Sequence, residues 1–259
     1  MKHEGQNSGI VVWGIHPIEE MVSVAPEHIR QINVLPSFGR KKAQHNLLDR
    51  IKSKGLPLIT PKDFHRFSLP VNAVHQGICA LVDEFWKVDL HELIQRSKAE
   101  GAQLVVCDQI SDPQNLGAII RASVAFGASG LVIPQKNNAR INGTVIKASS
   151  GAVFHIRVCT HVSIRKGLEQ LKEEGISIAG LDARGDIDVS SLSSIQPFCA
   201  LILGSESKGI RKSLKNQVDM LVRIPIYPRL DSLNVSCAAC IALYELSKNR
   251  PQTNDRAFE

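Results

Sequence analysis

The stretch LVVCDQISDPQNLGAIIRASVAFGASGLVI, Leu104–Ile133, decides the fold class. It opens on four apolar residues with no polar alternation, Leu104–Cys107. A turn at Asp112-Pro113 follows, then a helical pattern over Leu116–Phe126 and a second apolar run, Gly130–Ile133. Short, wholly apolar strands joined by a helix belong to a parallel sheet covered on both faces, because each strand is buried from above and below. The same alternation continues. Strands are expected at Phe154–Val158, Ile176–Leu181, Ala200–Leu203 and Met220–Ile224, and helices at Thr144–Ser149, Ser163–Glu174, Ile210–Asn216 and Val235–Ser247. Ligands of such sheets sit beyond the carboxyl ends of the strands, so the loops after Cys107, Leu203 and Ile224 are where chemistry is expected.

Upstream of this unit the chain reads as a smaller α/β sandwich. Runs with β character at Ile10–Trp13, Gln31–Leu35, Leu56–Ile59 and Gly77–Val82 alternate with helical segments at Pro17–Val24 and Lys41–Lys54 and a short Pro61–Phe67 segment. The expected organisation is an N-terminal domain over residues 1–84, a linker over 85–100 that is partly helical, a larger parallel-sheet domain over 101–250 and a tail over 251–259.

The 259 residues are 43% hydrophobic and 22% charged, an ordinary globular composition that excludes disorder as a general state. The longest nearly apolar run, Val235–Leu243, falls far short of a membrane span, and the N-terminal residues lack the pattern of a secretory signal, so a cytoplasmic protein is expected. Four of six cysteines are scattered singly. The Cys237-x-x-Cys240 pair has no second pair beside it, so no metal site is expected, and two small apolar residues on a packed helix explain it. The net charge of +6 suggests a polyanionic partner. It is spread along the chain, with clusters at Arg40, Lys41 and Lys42 and at Lys208, Arg211, Lys212 and Lys215. A solvated helix face explains each cluster as well as contact with RNA phosphates does.

The loop in LILGSESKGIRKSL, Leu201–Leu214, has the glycine spacing of a phosphate-binding loop. It carries Ile210 and Arg211 where Lys and Ser or Thr are required, and Glu206 within. A nucleoside triphosphate is therefore a poor ligand, since no side-chain cation is aimed at its phosphates. In the first loop Asn115 stands where an N-cap would precede the helix, and Arg121 is the only charge on that helix: either an ordinary surface cation or a functional one. In the third loop Ser232 and Asn234 suit helix capping. Together the loops offer Asn115, Arg121, Glu206, Ser232 and Asn234, a set that provides hydrogen bonds rather than a metal or a nucleophile.

These residues carry a resemblance. Asp112-Pro113-x-Asn115-Leu116-Gly117-x-x-x-Arg121, Leu203-Gly204-x-Glu206-x-x-Gly209, and Ile224-Pro225 followed by Ser232-Leu233-Asn234-Val235-Ser236 resemble, in order and spacing, the three motifs of the SpoU/TrmH family. Its members are S-adenosylmethionine-dependent RNA ribose 2′-O-methyltransferases of the SPOUT class. Lys147–Ala152 resembles a further family segment, and the first eighty residues resemble the RNA-binding domain of the RlmB-like members, which methylate a guanosine ribose in large-subunit ribosomal RNA.

The resemblance implies a deep trefoil knot, S-adenosylmethionine as cofactor, an RNA substrate (ribosomal RNA first, transfer RNA second) and a homodimer that completes the site. It implies that Asn115 and Glu206 orient Arg121, that Arg121 meets the target nucleotide, and that Ser232 and Asn234 fix the substrate side. Gly204, Ile224, Ile226 and Leu233 would line the cofactor. The small residues Ala238, Ala239 and Ala242 give a candidate dimer face. Pro228 stands where the family commonly has glycine. The alternatives are a transfer-RNA ribose methyltransferase and a non-catalytic RNA-binding protein.

Overall fold

The computed structural model describes residues 9–160, 162–194, 199–205 and 209–248. The chain begins with β1 (Ile10–Trp13), α1 (Ile15–Val24), β2 (Ile29–Val34), α2 (Lys42–Ser53), β3 (Leu58–Ile59) and β4 (Ile78–Val82). These strands form one sheet in the order β1-β4-β2-β3, with β4 antiparallel to both β1 and β2 and β3 parallel to β2. One face is closed by Ile18, Met21 and Val22 of α1 and Leu47 and Ile51 of α2, spaced three and four apart as an amphipathic helix requires. Residues 60–77, including the expected Pro61–Phe67 segment, are irregular and lay Phe64 against Trp13 and Cys79 on the sheet.

The second unit runs α3 (Leu90–Glu100), β5 (Leu104–Cys107), α4 (Pro113–Ala125), β6 (Gly130–Val132), α5 (Gly143–Ala148), β7 (Arg157–Cys159), α6 (Ile164–Glu173), β8 (Ser177–Leu181), β9 (Ile187–Asp188), β10 (Cys199–Leu203), α7 (Lys212–Lys215), β11 (Met220–Arg223) and α8 (Val235–Ser247). Its seven strands pair in the order β7-β6-β5-β10-β8-β11-β9, every neighbour parallel. All residues of β5 and β10 are buried, as expected for apolar strands in the middle of a two-faced sheet.

Two local expectations are corrected. Phe154–Val158 is not a strand throughout: Gly151 turns the chain at φ 87°, Ala152–His155 form a 3-10 turn, and pairing starts only at Arg157. In the first loop the helix cap is Asp112, not Asn115. Pro113 sets φ at the first helical position, and the Asp112 carboxylate accepts from the Gln114 N–H at 3.0 Å. Asn115 is thereby carried inside the helix and buried.

Residues 85–100 are firmly packed. Trp86 is fully buried, its carbonyl accepts from the Val158 N–H at 2.9 Å, and α3 buries Leu93 and Ile94. The two sheets meet across a close seam. A Cβ on Gly143 of α5 would stand 2.1 Å from the Trp13 ring and 2.2 Å from the Val11 carbonyl, so only glycine lets α5 lie against β1. Beside it His155 Nε2 meets Glu20 Oε1 at 2.5 Å.

Candidate functional site

The carboxyl ends of β8, β10 and β11 open onto a cavity of about 300 Å³, in the range of small-molecule sites. Leu181, Leu203, Ile224, Ile226, Leu233 and Ala238 give it apolar walls, and Gly204, Ser205 and Gly209 supply backbone. Gly204 is the point of closest approach. A Cβ there would lie 2.2 Å from the Gly209 carbonyl carbon and 2.3 Å from the Ile210 nitrogen, so the loop can double back on itself only with hydrogen at this position. Ser205 and Gly209 close the loop by exchanging backbone hydrogen bonds, 3.2 and 2.8 Å, with Gly209 at φ 64°.

Two buried carboxylates brace these loops, and neither stood out in the sequence. Asp108, 1% exposed and just past β5, accepts from Arg211 Nε at 2.8 and 3.1 Å, from its Nη2 at 2.7 Å and from its backbone N–H at 3.3 Å. Arg211 thus fastens the second loop to the first strand. Asp182, on the cavity wall, is held by Lys215 and by the backbone N–H of Arg184 at 3.0 Å. Burial alone would raise the pKa of Asp182. The bonds from Lys215 and the Arg184 backbone, with the positive charge of both side chains, outweigh it and keep the carboxyl ionised below its ordinary value. Two cations of the cluster after the second loop are therefore structural partners, not open phosphate contacts.

The predicted site residues are brought together only in part. Asn234 caps α8, its Oδ1 accepting from the backbone N–H of Ser236 and Cys237 at 2.9 and 3.3 Å, and its Nδ2 donates to Asn115 Oδ1 at 3.0 Å. That bond ties the first loop to the third. Asn115 also lines a cleft of about 160 Å³ with Gln109, Asp112 and Ser205. Ser232, Gly204, Ile224, Ile226 and Leu233 all line the cavity at the carboxyl ends of β8, β10 and β11. Arg121 does not. It is exposed, donates to Ser150 Oγ at 3.3 Å, and faces a separate cleft of about 800 Å³ between α4 and α1. Glu206 and Lys208 lie outside the described residues. Pro228 is exposed in the loop before α8.

The small-residue dimer face needs correcting: Ala239 and Ala242 are fully buried within the chain, and α8 instead exposes Cys237, Cys240, Ile241 and Tyr244. The cysteine pair therefore sits at the surface rather than packed. The thiols of Cys79, Cys107 and Cys199 are pushed up to about 12 by burial, which makes them inert as nucleophiles. Among the described residues no group of three metal-ligating side chains occurs, and no helix is long and apolar enough to cross a membrane.

A parallel sheet with a doubled-back loop and a largely apolar cavity at its carboxyl edge is the arrangement of a small-molecule-binding α/β protein. The comparisons give it a family: residues 102–244 match the SpoU rRNA methylase model, and residues 11–86 match that for RNA 2′-O ribose methyltransferase substrate binding. The chain belongs to the SpoU/TrmH family of RNA methyltransferases. A Staphylococcus haemolyticus protein assigned by name to the TrmH tRNA/rRNA methyltransferases is 33% identical over 251 residues, 96% of this chain and 99% of the relative. Among solved structures, the SpoU methyltransferase AviRb from Streptomyces viridochromogenes superposes with a TM-score of 0.74 at 24% identity, covering 94% of this chain and 90% of that one. A second AviRb structure, in complex with AdoMet, gives 0.72 at 26%, covering 93% and 90%.

Proposed function

We propose that this chain transfers a methyl group from S-adenosylmethionine to a ribose 2′-hydroxyl, that of a guanosine in large-subunit ribosomal RNA first and of transfer RNA second. The observation that carries the reading is the cavity between Gly204 and Leu233. Apolar walls suit an adenosine and a thioether chain, and backbone groups suit its polar edges. Asp182 and Asp231 put two carboxylates on the lining beside the single guanidinium of Arg184, a balance that suits a sulfonium better than a triphosphate. When bound, the cofactor supplies a methyl group on a positively charged sulfur.

The chain's own residues do the rest. Gly204, Ile224, Ile226 and Leu233 hold the cofactor, Asn115 and Asn234 fix the first and third loops against each other, and Ser232 stands at the cavity mouth for the incoming ribose. Much of the rate enhancement is positioning, which contributes about 7–11 kcal/mol in well-oriented reactions. Arg121, with Glu206 orienting it, grips the phosphate beside the target nucleotide and stabilises the developing alkoxide. A guanidinium is a poor proton acceptor but a rigid two-pronged donor.

The placement of Arg121 on a cleft away from the cavity supports a site completed by a second copy, with the exposed outer face of α8 as the meeting surface. The same reading includes the trefoil knot that the family resemblance implies. Methyl transfer from labelled cofactor to unmodified total RNA, followed by size separation, tests the substrate. Label in large ribosomal RNA supports the first choice, and label in transfer RNA alone replaces it with the second. Light scattering that returns a monomer at micromolar concentration contradicts the shared site.

A further inference from the structure

In the N-terminal sheet the topology gathers four chain passages at one end. β2 leaves the sheet there into residues 35–41. β3, parallel to β2, leaves into residues 60–77, which re-enter as β4, and the end of β1 pairs with the start of β4 through Trp13 and Cys79. The two loops touch: the Leu35 N–H donates to the Gly77 carbonyl at 2.9 Å, and Phe38 packs over Gly77.

Their composition is one-sided. Arg40, Lys41, Lys62 and Arg66, joined by Lys42 at the start of α2, stand against one carboxylate, Asp63. The same loops expose apolar groups. Val71 is fully exposed and Val74 is 68% exposed, and earlier in the same loop the Arg66 guanidinium lies 4.8 Å from the Phe67 ring centre and donates to Asn33 Oδ1 at 3.1 Å. A lone exposed valine is ordinary, but two on one loop with a stacked arginine and a basic neighbour make a mixed apolar and cationic surface.

This end of the sheet also leads toward Arg121. Gln76 Oε1 accepts from the Ile15 N–H at 3.1 Å and from Lys147 Nζ at 3.4 Å. Lys147 lies so close over Gly14 that a Cβ there would be 2.2 Å from its Nζ. It is partly buried, no carboxylate lies within ion-pairing distance of it among the described residues, and desolvation lowers its pKa. Three residues on, Ser150 takes the hydrogen bond from Arg121. A half-buried cation without a counter-charge among the described residues, between a basic loop surface and Arg121, suits a phosphate supplied from outside.

We propose that substrate RNA docks on this end of the N-terminal sheet as an unpaired loop. Its bases rest on the exposed Val71 and Val74, its phosphates on the cations of the two loops, and Lys147 is the positioning residue that passes the backbone across the domain seam to Arg121. The proposal rests on the reading of the protein as an RNA methyltransferase. Unpaired RNA is the form such a surface fits, since splayed bases offer faces for aromatic and apolar contact.

The test is ultraviolet crosslinking of the full chain to in vitro transcribed large-subunit ribosomal RNA, with the crosslinked peptides mapped, alongside filter binding of the same RNA. Crosslinks are expected within residues 64–75. The double substitution Val71→Asp with Val74→Asp, at positions where folding is not challenged, should weaken RNA binding at least tenfold with cofactor affinity unchanged. Lys166→Glu on α6 should change it less than twofold. Lys147→Gln should reduce the slope of log affinity against log salt by about one, as loss of a phosphate contact does, and Lys147→Arg should restore it. Crosslinks confined to other surfaces, or wild-type binding by the double variant, overturn the proposal and leave the apolar tip to a protein partner. Absence of methyl transfer by the wild-type chain would count against the enzymatic reading, while the crosslink map and filter binding still decide the surface.

Discussion

Replacing Gly204 by alanine is the sharpest perturbation of the cofactor cavity. The new methyl group would meet backbone rather than a side chain that can swing aside: 2.2 Å to the Gly209 carbonyl carbon, 2.3 Å to the Ile210 nitrogen and 2.5 Å to the Gly209 oxygen. Restoring an ordinary 3.4 Å contact requires the two passes of the loop to separate by about 1.2 Å. Both passes are anchored, one in the fully buried β10 and the other by Arg211 on Asp108. Overpacking of a close-packed region costs about 1–3 kcal/mol, and for a chain of this size each kcal/mol lowers Tm by about 2–4 °C. Moving a cavity wall by this amount should weaken S-adenosylmethionine at least tenfold, equivalent to about 1.4 kcal/mol. Isothermal titration with the cofactor and thermal unfolding of the free protein read the two effects separately. A Gly204→Ala variant with wild-type Kd and a Tm within a degree of wild type would refute the claim that this crossing shapes the site.

Other consequences follow from the same contacts. Arg211→Ala strips a buried carboxylate of its charged donor and should cost about 1.5–3 kcal/mol in urea unfolding at neutral pH; a loss below 0.5 kcal/mol would mean Asp108 is satisfied without it. Because the folded pKa of Asp182 is depressed, its stabilisation is complete above the unfolded value of about 3.9 and is lost as pH falls through the lower folded value. Asp182→Asn should therefore flatten the stability profile below about pH 4, and an unchanged acid limb would show that Lys215 does not hold the carboxylate ionised. Arg121→Lys should lower kcat about a hundredfold or more while leaving Tm and cofactor Kd alone, since Arg121 is exposed and off the cavity; near-normal turnover would exclude the two-pronged role.

Much of this architecture is legible because it depends on local pattern. The apolar run Leu104–Cys107 and the Asp-Pro turn after it announce a buried parallel strand and a helix start, and α8 begins and ends where its periodicity says. Asn115 lies three residues past the true cap because the stronger signal, proline at the first helical position, sits immediately after Asp112. The braces at Asp108 and Asp182 were not legible, since their partners are 103 and 33 residues away and a lone aspartate beside a strand has many uses. Periodicity also failed to assign the faces of α8. A helix packed against α4 and residues 189–194 hides Ala239 and Ala242, turns Ala238 to the cavity and exposes Cys237, Cys240 and Tyr244, the reverse of what small residues suggested. Composition alone does not distinguish Arg121 from a surface cation, the motif resemblance singles it out, and only the fold shows that it faces the N-terminal domain.

The most direct test of the account is to incubate the protein with methyl-labelled S-adenosylmethionine and unmodified ribosomal RNA, digest the RNA to nucleosides and resolve the labelled species. The account predicts a single 2′-O-methylated nucleoside, guanosine by preference, absent when Arg121 is replaced. Label on a base, or intact cofactor binding with no label in any RNA, would contradict it.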